Sequence, residues 1–90
     1  MAERKYHYVK MLPLVPFVSH KSWYDDLTEA QARLKYLLNR YQSLKNIEKE
    51  QDIVWTEVFT RHHKAAIKQH EELIIAVKSN IHKLKERKSH

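Results

Sequence analysis

Ninety residues containing neither cysteine nor glycine allow one small domain and exclude several chemistries at once. No disulfide or thiolate metal site can form, and nucleotide-binding loops of the Walker or Rossmann type have no place, because they need glycine where backbone approaches phosphate closely. A formal charge of +6 at neutral pH favours an anionic partner such as nucleic acid, an acidic protein surface or anionic lipid, against the ordinary alternative of a lysine-rich solvated surface.

In chain order, residues 1–10 are basic and aromatic, with Arg4, Lys5, Tyr6, His7, Tyr8 and Lys10. This stretch reads either as a loosely docked arm or as one that lays the Tyr6 and Tyr8 rings on bases while cations such as Lys5 meet phosphates. Met11 to Val18, MLPLVPFV, is an apolar strap that two prolines keep from being helical throughout. It is expected to lie along a groove between helices, with a docking peptide for another protein as the alternative. The prolines also argue against a secretory signal, so the chain is expected to be uncleaved.

From Trp23, the residues Leu27, Ala30, Leu34, Leu37, Tyr41 and Leu44 recur at alternating steps of four and three. This is the spacing of one helix face. The first helix is expected over 19–46, with Ser19 or Ser22 as N-cap and Asp26 as a later alternative; Arg33, Lys35 and Arg40 fall on its wet side. The polar run NIEKEQD predicts a turn, although it lacks glycine and proline, so a single continuous rod is the competing expectation. A second helix is expected over 52–87, capped by Asp52, with a stripe of Trp55, Val58, Phe59, His62, Ala66, Leu73, Ile74, Val77, Ile81 and Leu84 whose heptad register slips between His62 and His70. Ile75 lands on the outer face.

Seven histidines raise the question of a metal, yet His62, His63, His70 and His82 include no pair three or four residues apart, so no single-helix site is expected. His62, His63 and His70 are instead expected half covered at the edge of the stripe, where protonation would loosen a helix interface. No nucleophile with its base, carboxylate pair or phosphate cradle stands out, so neither catalysis nor a cofactor is expected. Arg61, Lys64, Lys68, Lys78, His82 and Lys85 fall on one side of the second helix, either as a track for a phosphate backbone or as a solvated face.

The expected fold is all-α: an antiparallel two-helix hairpin with an extended N-terminal strap, completing a four-helix bundle by dimerisation or by packing on a partner. Trp23, Leu27, Leu34, Leu37, Tyr41, Trp55, Val58, Phe59, Ile74 and Val77 are the expected core or interface. The expected role is a non-enzymatic protein–protein interaction module whose partner is another protein or itself. The alternative is nucleic-acid binding of little sequence specificity through Lys5, Tyr6, Tyr8, Arg61, Lys64, Lys68, Lys78 and Lys85. No membrane-spanning run is present in the sequence, and the protein is expected to be soluble and intracellular, cytoplasmic and nuclear locations being indistinguishable.

Overall fold

The computed structural model describes residues 16–88. Two α-helices, α1 (Leu27–Ile47) and α2 (Glu57–Lys88), pack against each other as a hairpin, and no strand is present among the described residues. The continuous rod is thereby excluded. The polar run from Glu48 onward is indeed the turn, and α1 ends in tight i to i+3 bonds, Glu48 N–H to Lys45 C=O and Lys49 N–H to Asn46 C=O, which take over the role of a glycine cap.

α1 begins seven residues later than Ser19 as N-cap would place it. Asp26 is the N-cap, extended at φ −107° and ψ 123°, its Oδ1 accepting from Thr28 N–H at 3.0 Å. Ser19 is unavailable because its hydroxyl oxygen closes a local turn on Lys21 N–H at 3.1 Å. Trp23 therefore precedes α1 and does not share its seam. α2 likewise starts at Glu57 and not at Asp52: the Thr56 hydroxyl oxygen accepts from Phe59 N–H at 3.0 Å, and the chain before it tucks Ile53 inward.

The seam of α1 is centred on Ala30, Leu37 and Leu44, one heptad apart and all buried, with Leu27, Leu34 and Tyr41 half covered beside them. On α2 the expected slip does not occur. Phe59, His63, Ala66, His70, Leu73, Val77, Asn80 and Leu84 alternate steps of four and three without a break, and every one is buried. The register only looks broken when polar residues are read as surface. His63, His70 and Asn80 occupy seam positions because each finds a hydrogen-bond partner there, which removes most of the penalty of burying them.

Residues 16–25 take no helical turn and run along one side of the hairpin, parallel to α2. Val18 and Tyr24 pack onto the core formed by Ala30, Leu37, Leu73, Val77 and their neighbours. Most of the expected strap, residues 11–15, lies outside the described residues.

Candidate functional site

The hairpin has two long flanks, and they are built differently. On the first, Gln69 and Asn80 sit three helical turns apart on the same side of α2. The Gln69 amide donates to Val18 C=O at 2.8 Å and accepts from Val18 N–H at 3.2 Å. Asn80 repeats the arrangement on Tyr24, accepting at 2.8 Å and donating at 3.1 Å. A primary carboxamide presents a donor and an acceptor side by side, so each takes both main-chain groups of one extended residue as a neighbouring strand would. From α1, one heptad apart, Arg33 donates to Ser19 C=O at 2.8 Å and Arg40 to Pro16 C=O at 2.9 Å.

Four side chains thus hold the extended segment by its backbone. Arg33 and Arg40, expected on a wet face, are half covered for this reason. Gln69 and Asn80 escaped the sequence reading altogether. The available signal was their eleven-residue spacing along the edge of the apolar stripe, which keeps both on one flank.

The outer surface of this flank carries aromatic rings, two of them beside cations: Lys83 Nζ lies 5.8 Å from the Trp23 ring and Arg33 5.3 Å from that of Tyr36, while Phe17 packs on the His62 ring with centroids 4.6 Å apart.

The opposite flank has no such cover among the described residues. Leu38 and Tyr41 of α1 and Glu71, Ile74, Ile75 and Lys78 of α2 line a shallow groove of about 390 Å³. Leu38 is 42% and Ile75 69% exposed, so Ile75 has an apolar neighbour across the groove. Tyr41 Oη donates to Glu71 Oε2 at 2.9 Å over its floor, and that acceptor pushes the phenol above its ordinary pKa.

Three of the expected core or interface residues stand apart from the core. Trp23 is 48% exposed on the extended segment; Trp55, in the connection, and Val58, 65% exposed on the first turn of α2, are also outward. Trp55 stacks on Phe59 with centroids 4.7 Å apart and meets His63 edge-on at 5.1 Å. Leu37, Phe59, Ile74 and Val77 are buried, and Leu27, Leu34 and Tyr41 pack at the core's margin. Of the basic residues, Arg61 pairs with Glu57 at 2.8 Å. Lys64, Lys68, Lys78 and Lys85 are exposed on α2, and Lys5, Tyr6 and Tyr8 lie outside the described residues.

His62 is half covered as expected, whereas His63 and His70 are buried. His70 is fully buried, its Nδ1–H donating to Ala66 C=O at 2.7 Å, so the neutral ring offers Nε2 to Arg40 Nε–H at 3.4 Å. Burial pushes its pKa below the usual histidine value, and the Arg40 and Arg33 charges act in the same direction. His63 Nε2 lies 2.9 Å from Glu48 Oε2. That bond, helped by Lys45, holds the Glu48 carboxyl below the ordinary carboxylate range against the opposing effect of burial. Glu48 occupies the next seam position after Leu44, so the α1 register continues into the turn and meets a polar position of α2. No three His, Asp or Glu side chains gather as a metal site among the described residues.

Among the described residues, fold and flanks together define a small helical hairpin covered on one side by its own extended segment and uncovered on the other, and no helix among them is long and apolar enough to cross a membrane. No known protein family, curated protein or solved structure matches the chain.

Proposed function

We propose that the protein is a non-enzymatic helical interaction module that receives a protein partner on its open flank. The observation that supports this reading is the pairing of Leu38 and Ile75, both exposed, across one groove whose floor is Tyr41 and Ile74. Exposed aliphatic residues gathered on one face mark an association surface in a way that scattered ones do not. Completion of a four-helix bundle, with a second copy or with a different protein, is the geometry such a groove favours.

Nucleic-acid binding is the competing reading, supported by the positions of Lys64, Lys68 and Lys78, which have no ion-pair partner among the described residues. A titration with mixed-sequence DNA and RNA near physiological salt separates the two. The module reading expects no binding in the micromolar range. Salt-sensitive micromolar binding that weakens when Lys64, Lys68 and Lys78 are neutralised would replace it with the nucleic-acid reading.

A further inference from the structure

We infer that the occupant of the open groove is an acidic amphipathic helix of a different protein. This rests on the interaction reading above and adds the chemistry of the partner. The groove between two helices is the shape into which the apolar ridge of a third fits, and Leu38, Tyr41, Ile74 and Ile75 supply its apolar lining. The rim is cationic. Lys78 stands in the groove itself, Lys68 lies one heptad before Ile75 on the same face, and Lys85 one heptad beyond Lys78. On α1, Lys35 sits three residues before Leu38, while Lys45, seven after it, is paired with Glu48 at 3.3 Å.

Charge decides between occupants. Taken whole, α2 carries eight Lys and Arg (61, 64, 68, 78, 83, 85, 87 and 88) against four Glu (57, 71, 72 and 86), and α1 four (33, 35, 40 and 45) against Glu29 alone; Arg33, Arg40 and Lys83 belong to the covered flank and Arg61 is paired with Glu57, so Lys68, Lys78 and Lys35 carry the excess beside the groove. A second copy brings the same excess, so positive charge faces positive charge over a low-salt reach of many ångströms. An acidic helix turns that repulsion into attraction and leaves the apolar contact unchanged. The one acid in the groove, Glu71, already accepts the Tyr41 hydroxyl. A polynucleotide would satisfy the lysines but leave Leu38 and Ile75 wet, whereas an amphipathic helix covers both kinds of group.

The test uses the full chain and a designed probe: a labelled helical peptide of about three heptads with leucine at a and d and glutamate at e and g, and a twin with lysine in place of glutamate. The acidic probe is expected to bind in the micromolar range, at least ~10-fold tighter than its twin, and to weaken as salt rises. Ile75→Gln and Leu38→Gln should each lower its affinity about tenfold, while Trp23→Gln, on the covered flank, leaves it unchanged. Circular dichroism confirms that each variant keeps its helices.

Equal binding of both probes that still depends on Ile75 overturns the acidic partner but leaves the interaction reading standing. A sedimentation mass of a dimer, reverting to monomer in Ile75→Gln, overturns it in favour of a second copy. Acidic-probe binding indifferent to Ile75 and Leu38 reduces the effect to bulk electrostatics and overturns it too, as does absence of binding.

Discussion

The two flanks of this hairpin contrast main-chain recognition with side-chain exposure. On one, Gln69, Asn80, Arg33 and Arg40 bond backbone groups of Pro16, Val18, Ser19 and Tyr24, so a segment with no secondary structure of its own is tied to both helices by its main chain. On the other, aliphatic side chains and lysines face outward. The difference shows that a two-helix protein can supply a third layer from an extended segment, provided the helices place polar groups where that segment's amides need partners. Exposed apolar side chains occur on both sides among the described residues, Trp23 and Phe17 on the covered flank and Leu38 and Ile75 on the other, but only the last two face each other across a groove.

Two adjacent residues carry the contrast between the flanks most directly. Leu37 points into the core and Leu38 into the open groove. Leu37→Ala should cost about 2–5 kcal/mol in urea unfolding, as buried large-to-small changes do, whereas Leu38→Ala should stay within about 0.5 kcal/mol of the parent. Equal costs would mean that the open flank is buried after all.

Next come the carboxamides. Asn80→Ala removes both partners of Tyr24 and should cost about 1–3 kcal/mol, with Gln69→Ala similar or somewhat smaller because Gln69 is less deeply enclosed. The distinguishing sign is local. In either variant, amide exchange should accelerate at Tyr24 or Val18 respectively, ahead of the helices.

Acidity probes the same closed flank through His70. Its folded pKa lies below that of the free ring, 6.5, so on acidification the unfolded chain takes up the proton first. Its contribution is therefore intact above about pH 6.5, is lost as pH falls from there towards the folded pKa, and levels off below it. Protonation would add a charge beside Arg40 and Arg33 and remove the acceptor that Arg40 uses. Stability measured at several pH values between about 8 and 5 should fall for the parent and fall less for His70→Gln. Parallel profiles would contradict this placement. Glu48 contributes in a lower window: its depressed carboxyl pKa adds stability that is lost as pH drops below its ordinary value of 4.5.

The smallest effect lies at the helix start. Asp26→Ala should cost about 1 kcal/mol through the lost cap on Thr28 N–H, while Ser19→Ala, removing only a local turn, should change little.

The seam of α1 and the hairpin turn were readable from the sequence because apolar spacing from Leu27 to Leu44 is regular and the run after it is polar. The heptad of α2 was not, since three of its positions are His63, His70 and Asn80, and single-sequence patterning treats such residues as surface unless their partners are known. The partners are remote: Asn80 bonds a residue 56 positions away and Gln69 one 51 positions away. For the same reason Arg33 and Arg40 looked solvated. Ile75 was visible as an odd apolar residue on an outer face, but its significance depended on Leu38 lying across the groove, which only the packing of the helices supplies.

The most direct test of the two-flank account is amide hydrogen exchange of the intact chain, resolved at Val18 and Tyr24. Both lie outside any helix, yet the account predicts slow exchange at each, well below the rate at Trp23 between them, with protection lost at Tyr24 in Asn80→Ala. Exchange at Val18 and Tyr24 as fast as at Trp23 would show that the segment is not held by its main chain and that both flanks are open.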